Sequence, residues 1–312
     1  MPATVVEVHG LKKHYPPDFK AVDGVDFRIL GGEVFSLLGP NGAGKTTTVE
    51  VMEGLRDPTG GEVRVLGASV PRDYDRVRKR VGVLPQNFDP FDRLKVSETV
   101  TYWAALFERT ATKKEVKGVL DTVGLAHRTD ALAMHLSGGE KRRLGIAMVL
   151  VGEPELIFLD EPTTGLDPHG RRELWSVIRD LRKEGKTVFL TTHYLDEAEH
   201  LSDHVAVMHK GKIIAQGTVD ELLEKAGAGR EIVLSRPGPG TWEAVQRLGL
   251  PGRQENHGIT IQVKEVGRLR AVLGDLTALD VDLGEISTRR ASLEEVFLQL
   301  VGGRLEEGEL RA

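Results

Sequence analysis

The sequence has no cysteine, which excludes a disulfide framework and thiolate chemistry. It also has no long apolar run: the longest uninterrupted one is Ile146–Val151, whereas a membrane span needs about 20 apolar residues. The opening stretch MPATVVEVHG has neither a basic region nor a long apolar one, so it does not predict a secretion signal. We therefore expect a chain that does not itself cross a membrane.

An excess of positive charge is lacking as well. The formal net charge is −5, from 42 Lys and Arg against 47 Asp and Glu, which argues against a nucleic-acid-binding surface. The basic run Arg76–Arg80 is short, and we interpret it as a solvated face before a buried strand. The length of 312 residues is typical of two domains.

Apolar patterning predicts an α/β fold for most of the chain. Continuous apolar runs at Glu33–Leu38, Glu155–Asp160 and Thr187–Thr192 are typical of parallel strands that are covered on both faces. Helical spacing occurs between them, for example at Ser97–Phe107 and Pro168–Glu184. Strands that alternate with helices in this way predict a mixed α/β sheet.

The pattern of the sequence changes near Gly227, where the small residues of AGAGR predict a linker. Shorter strands and helices follow it, and a last helix begins at Ser292, which has the capping-box spacing with Glu295. The predicted elements are Glu231–Ser235, Thr241–Leu248, Gly258–Val263, Val266–Leu276 and Val281–Ser287. This pattern predicts a small α+β domain.

The segment LGPNGAGKTTT fits the phosphate-binding pattern G-x-x-x-x-G-K-[ST] through Gly39, Gly44, Lys45 and Thr46. Glycines let successive N–H groups point at phosphate oxygens, and the helix that follows adds partial positive charge. Lys45 supplies a cation for the β- and γ-phosphates, and the Thr46 hydroxyl is placed to ligate Mg²⁺. Because an apolar strand precedes the loop, we predict a nucleotide site rather than a plain glycine-rich turn.

A second apolar run, LIFLDEP, delivers two acidic residues to the end of a strand, where α/β sheets place their ligands. Asp160 can hold Mg²⁺ through water, and Glu161 is the candidate general base for the attacking water. The alternative is a solvated acidic pair, but it leaves the phosphate-binding loop without a metal-binding carboxylate and without a general base.

Polar side chains end two other strands. His193 ends TVFLTTH and Gln86 follows VGVLP, and by itself each residue is better explained by a structural role than by a functional one. His200 and His204 have the i, i+4 spacing of a zinc pair, but no cysteine or third ligand accompanies them. We therefore do not predict a zinc site.

The segment HLSGGEKRRLG reads as a second anion site at the start of a helix. Ser137 and Glu140 have capping-box spacing, so the serine oxygen can accept the N–H of residue 140 while its own proton stays available. That proton and the N–H groups of Gly138 and Gly139 can reach an anion in front of the helix. A plain helix cap is the alternative for this segment taken alone.

Together and in this order, GPNGAGKTT, Gln86, LSGGE, LIFLDEP, GLDP and His193 resemble the ATP-binding cassette (ABC) proteins over residues 4–225. The resemblance implies a P-loop NTPase fold, with a RecA-like core, an antiparallel β subdomain and a helical subdomain at about 87–152. It implies an ABC domain at 1–226, an accessory α+β domain at 230–303 and a polar tail at 304–312. The implied activity is ATP hydrolysis with Mg²⁺.

The resemblance also implies a role for individual residues. Glu161, His193 and Lys45 would be catalytic, with His193 as the switch histidine and Asp167 in the D-loop. Ser137, Gly138, Gly139 and Glu140 would form the signature motif, which binds the γ-phosphate of ATP held by a second cassette. Thr46, Gln86 and Asp160 would bind the metal. ATP would be held by Tyr15, Gly39, Asn41, Gly42, Ala43, Gly44, Lys45, Thr46, Thr47, Gln86, Asp160 and His193.

Two positions depart from the family pattern. Glu140 stands where Gln is usual, and either side chain completes a capping box. Tyr15, which would stack on adenine, is followed by PPDFK rather than by a short glycine turn.

The segments ASLEEVFLQLVGG and TTHYLDEAEHLSD look like the ATPase subunits of bacterial drug and lipid exporters. This resemblance implies a homodimer of cassettes that drives separate membrane permeases from the inner, cytoplasmic face of a prokaryotic cell membrane. An importer ATPase and a soluble, non-transport ABC ATPase are the alternatives. No nucleic-acid partner is expected.

Overall fold

The computed structural model describes residues 3–225, 230–255, 258–263, 268–290, 292–294, 296–297, 305–306 and 309–310. The chain divides into two compact units: residues 1–218 together with residues 304–312, and residues 219–303. The predicted capping box of the last helix includes Glu295, which lies outside the described residues, as do residues 226–229 of the predicted linker. Every helix among the described residues is too short or too polar to cross a bilayer.

The first unit begins with an antiparallel sheet in the strand order β2-β1-β4-β5. Its strands are β1 (Thr4–Tyr15), β2 (Phe19–Leu30), β4 (Gly60–Val65) and β5 (Ala68–Val70). Strands β1 and β2 pair along their whole length and are joined by the turn at Pro16–Pro17. Alternate residues such as Val6 and Val8 are fully buried beneath this sheet.

A second sheet forms the centre of the first unit, in the order β10-β9-β3-β8-β7-β6. Its strands are β3 (Val34–Leu38), β6 (Val81–Leu84), β7 (Leu156–Asp160), β8 (Thr187–Thr192), β9 (His204–His209) and β10 (Lys212–Gly217). All but β10 run parallel, so the carboxyl ends of β3, β6, β7 and β8 meet at one edge. The predicted continuous burial of β3, β7 and β8 is confirmed.

Helices cover this central sheet. They are α1 (Lys45–Met52), α2 (Val96–Leu106), α3 (Lys113–Thr122), α4 (Gly138–Leu150), α5 (Pro168–Lys183) and α6 (Leu195–Leu201). Helix α4 contacts α2, α3, α5 and β6, and its residues from Arg142 to Leu150 are all buried. Over this stretch the helix has no solvent face, which explains why its sequence lacks an amphipathic stripe.

The second unit contains its own antiparallel sheet in the order β12-β13-β11-β14. Its elements are α7 (Val219–Lys225), β11 (Arg230–Ser235), α8 (Thr241–Arg247), β12 (Gly252–Glu255), β13 (Gly258–Val263), α9 (Leu269–Thr277) and β14 (Glu285–Arg290). Its core includes Ile232, Leu234, Val245, Ile259 and Leu276. The strands β15 (Leu305–Glu306) and β16 (Glu309–Leu310), which pair with each other at the end of the chain, belong to the first unit.

Candidate nucleotide-binding and catalytic site

The loop after β3 is shaped by glycines that no other residue replaces without strain. Gly42 and Gly44 have φ of 78° and 106°, in the left-handed region that favours glycine. A Cβ on Gly44 would lie 2.2 Å from the carbonyl oxygen of Ala21, and one on Gly39 would lie 2.3 Å from that of Met208. Gly44 also caps α1 without a side-chain bond, so no side chain of the cap competes for the first N–H groups of the helix.

Lys45 begins α1 and is 4% exposed. Its Nζ donates to the carbonyl oxygens of Gly39 and Pro40, at 2.7 and 3.2 Å, and lies 3.2 Å from Glu161 Oε1. Burial lowers the pKa of Lys45, and the charge of Glu161 opposes that shift. The ammonium therefore lies between its own loop and the carboxyl end of β7.

Glu161 follows β7 and is 7% exposed. Its Oε2 accepts from Gln86 Nε2 at 3.0 Å and from Thr164 Oγ1 at 3.1 Å, and His193 Nδ1 lies 3.3 Å away. Burial raises the pKa of Glu161, but the contacts with His193 and Lys45 outweigh it and lower the pKa to about 2. The carboxylate of Glu161 is thus contacted by Lys45, Gln86 and His193, which follow three other strands of the sheet.

Asp160, the last residue of β7, lies beside Thr46. Its Oδ1 accepts from Thr191 Oγ1 at 2.5 Å, and its carboxylate also takes a side-chain hydrogen bond from Thr46. Burial raises the pKa of Asp160, and the charge of Glu161 adds to the shift. A hydroxyl and a carboxylate side by side are oxygen donors of the kind that Mg²⁺ prefers.

Two threonines at this edge were not singled out from the sequence. Thr191 serves both acidic residues, because its hydroxyl also accepts the Glu161 backbone N–H at 3.0 Å. Thr164 donates to Glu161 from the loop after β7. A threonine in a β-strand is ordinary, so the sequence carried no signal that would have separated Thr191 from Thr192.

Tyr15 lies at the end of β1. Its ring stacks on Phe19 with centroids 6.3 Å apart, and Lys13 Nζ lies 5.1 Å from its centroid. The guanidinium of Arg56 lies 5.8 Å from the same centroid. The ring is thus bordered by cations and a second aromatic ring.

The capping box predicted at the start of α4 is confirmed. Ser137 Oγ accepts from Glu140 N at 3.2 Å, and Glu140 Oε2 accepts from Ser137 N at 2.8 Å. The second oxygen of Glu140 accepts from Arg128 Nε at 2.9 Å. At the start of α5, Asp167 caps the helix by accepting from Gly170 N at 2.8 Å.

The two histidines weighed as a zinc pair have separate partners. His200 Nδ1 lies 2.8 Å from the carbonyl oxygen of Asp196, and its ring stacks on Trp175. His204 Nδ1 lies 2.8 Å from Glu33 Oε2. In the part of the chain that the structure describes, no group of three or more His, Cys, Asp or Glu is arranged to hold a metal by itself.

Comparison with known proteins agrees with this geometry. Residues 22–164 match the family model described as "ABC transporter". The chain is 38% identical to the daunorubicin resistance ATP-binding protein DrrA3 of Streptomyces coeruleorubidus, over 97% of each chain. It is 37% identical to the Nod factor export ATP-binding protein I of Burkholderia lata, over 98% of this chain and all of that one.

Solved structures resemble about two thirds of this chain. CbiO1 of Clostridium perfringens, part of an ABC transporter complex, covers 70% of this chain and 90% of its own with 30% identity and a TM-score of 0.64. A cassette solved as a dimer with ADP and Pi after hydrolysis covers 68% and 98%, with 25% identity and a TM-score of 0.61.

The chain belongs to the ABC transporter family. Within that family it is an ATP-binding ATPase of the group that contains the drug-resistance and Nod factor export proteins. The predicted fold class and the predicted resemblance to exporter ATPases are confirmed.

Proposed function

We propose that the chain is the ATP-hydrolysing subunit that drives a separate membrane permease, and that the transporter exports drug- or lipid-like compounds. Similarity over the full length to proteins named for daunorubicin resistance and Nod factor export supports export over the importer and the non-transport alternatives. We place the subunit on the inner face of a prokaryotic cell membrane.

The proposed working unit is a head-to-tail pair of two copies. Each chain has one phosphate-binding loop, Gly39–Thr47, and one signature segment, Leu136–Glu140. In such a pair, Ser137, Gly138 and Gly139 of one copy face the γ-phosphate held by the other copy. Glu140 N donates to the Ser137 oxygen, so a phosphate in front of the helix can take the hydroxyl proton that Ser137 otherwise directs to the Glu140 carboxylate.

In this proposal the loop between β3 and α1 holds the phosphates of ATP. The backbone N–H groups of Asn41, Gly42, Ala43 and Gly44 point at phosphate oxygens, with Lys45, Thr46 and Thr47 at the start of the helix. Tyr15 stacks on adenine, and its cationic neighbours Lys13 and Arg56 fit a nearby polyanion.

Thr46, Asp160 and Gln86 would hold Mg²⁺. The side chains of Thr46 and Asp160 are already hydrogen-bonded to each other. The side-chain N–H of Gln86 donates to Glu161, which leaves the amide oxygen of Gln86 for the ion. When bound, the ion neutralises charge that develops on the phosphates.

Glu161 is the proposed general base. It takes the proton from the attacking water, while Gln86 and His193 fix its carboxylate, and Lys45 stabilises charge on the transferred phosphoryl group. The observation that carries the proposal is the meeting of Lys45, Gln86 and His193 on this one buried carboxylate.

The test is Glu161→Gln, which keeps the size of the side chain and removes its basicity. We expect hydrolysis to fall about 10²- to 10⁴-fold, with ATP still bound and with dimers that persist in ATP. Glu62→Gln, at an exposed carboxylate on β4, is the control and should hydrolyse ATP at the unaltered rate. Turnover in Glu161→Gln close to that of the control would contradict the assignment of the base.

A further inference from the structure

One arginine of α4 contacts the backbone of the proposed catalytic site in its own chain. Arg142 lies on α4, two residues after Glu140, and is 8% exposed. Its guanidinium donates to four backbone carbonyl oxygens: Pro162 at 3.0 Å, Pro85 at 2.7 Å, Gln86 at 3.1 Å and Asp160 at 2.9 Å. Each nitrogen of the fork donates to at least one of them.

Two of these carbonyls flank Glu161. Glu161 has φ of 44°, in the left-handed region where a residue with a side chain is strained. Such a conformation persists only when the surroundings fix it. Arg142 binds the carbonyls of Asp160 and Pro162 on either side, and Thr191 accepts the N–H of Glu161.

The other two carbonyls belong to the end of β6. There Arg142 Nη1 holds the backbone of Gln86, whose side chain donates to Glu161 Oε2. The same guanidinium therefore fixes both the backbone of the catalytic carboxylate and the backbone of its amide donor.

The chemistry of this contact favours arginine over lysine. Burial lowers the pKa of Arg142 to about 10, against the opposing charges of Asp160 and Glu197, so the group stays cationic at neutral pH. A planar fork with five donors can serve four acceptors that surround it, whereas an ammonium group has three donors on one atom.

We propose that Arg142 is a positioning residue for hydrolysis, which holds Glu161 and Gln86 in register through their backbones. This inference rests on the proposed role of Glu161 as the base. It also means that α4, which begins with the signature segment, is bonded along its side to the catalytic site of its own chain.

The test uses the full-length chain with Arg142→Met and Arg142→Lys. A displaced base costs rate rather than affinity, so we expect kcat to fall about 10- to 100-fold in Arg142→Met while the KM for ATP changes less than about threefold. Arg142→Lys should recover part of this loss. The control is Arg109→Met, because Arg109 also donates to a backbone carbonyl, that of Val151, at the other end of α4.

A second measurement separates positioning from general loss of structure. In a Glu161→Gln background, Arg142→Met should not lower the residual rate further, because the residue acts through Glu161. Two results would overturn the inference: an unchanged kcat in both Arg142 variants, or a full additional loss in the double variant. If Arg142→Met does not fold, Arg142→Lys carries the same comparison. Unimpaired hydrolysis in Glu161→Gln alone would instead overturn the proposed function.

Discussion

Glu140 shows how a charged side chain is accommodated at a position where the family usually has glutamine. Burial raises its pKa, but the Ser137 backbone N–H and the Arg128 guanidinium outweigh that effect, so the pKa is lowered overall. The carboxylate is therefore ionised, and Arg128 balances its charge. Arg128 lies in a 3₁₀ turn before α4, outside every motif, which is why the sequence did not point to it.

Glu53 is a second buried carboxyl, at the end of α1. Burial, with the charges of Asp160 and Glu50, raises its pKa from 4.5 to about 8. Because the folded pKa lies above the unfolded one, the contribution of this proton to stability is complete below pH 4.5 and is lost as the pH rises to about 8.

We therefore expect Glu53→Gln to remove a pH-dependent loss of stability. The unfolding free energy of the unaltered chain should decrease relative to that of Glu53→Gln between pH 5 and pH 8, by a few kcal/mol at the alkaline end. Chemical denaturation at a series of pH values measures it, with Glu62→Gln as the exposed control. Parallel curves for the unaltered chain and Glu53→Gln would contradict the shift.

At the scale of elements, the apolar pattern of the sequence predicted the strands that are buried on both faces, and capping residues predicted where a helix begins. The strands β3, β7 and β8 and the start of α4 lie where the sequence placed them. The turn at Lys210-Gly211 joins β9 to β10, and both residues have positive φ, as a type I′ turn requires.

Other elements carried no such signal. The strand β12, with the sequence GRQE, was not predicted because it is an exposed polar edge strand without alternation. The strand predicted at Val281–Ser287 begins instead at Glu285, because Gly284 turns the chain with φ of 64°. The contacts of Arg142 depend on three segments that are distant in sequence, so local spacing could not predict them.

Packing between β6 and α4 provides a prediction at this scale. A Cβ on Gly82 would lie 2.2 Å from Val149 Cγ1, so Gly82→Ala forces the strand and helix apart. We expect a loss of about 1–3 kcal/mol in unfolding free energy. Gly118→Ala is the matched control: Gly118 is within α3, has open space around it, and should gain up to about 1 kcal/mol.

Urea denaturation of the two glycine variants measures both effects. The Gly118→Ala variant shows the effect of the same substitution where the added methyl group has open space. Equal stability of the Gly82→Ala and Gly118→Ala chains would show that α4 moves away from β6 without cost.

At the scale of the whole molecule, the head-to-tail pair makes a prediction that no single chain satisfies. A Lys45→Ala chain keeps its signature segment, and a Ser137→Ala chain keeps its phosphate-binding loop. A dimer of one of each then contains one site with both Lys45 and Ser137 intact. We expect each variant to be impaired alone and the mixture to regain ATP hydrolysis.

The measurement is the hydrolysis rate of the mixture at constant total protein. Mixing Lys45→Ala with Glu161→Gln is the control, since both changes fall in the same half of a site and no mixed dimer restores it. If the first mixture gains nothing over its components, the signature segment does not act across the pair.

The ion pair between Lys45 and Glu161 links substrate binding to proton affinity. A phosphate that takes the ammonium of Lys45 weakens one of the contacts that lower the pKa of Glu161 to about 2. That pKa then rises toward the range in which a general base is effective. By reciprocity, a proton on Glu161 favours nucleotide binding as much as nucleotide favours the proton. In the proposed mechanism, Glu161 is therefore a weak base while Lys45 holds it, and bound nucleotide raises its basicity.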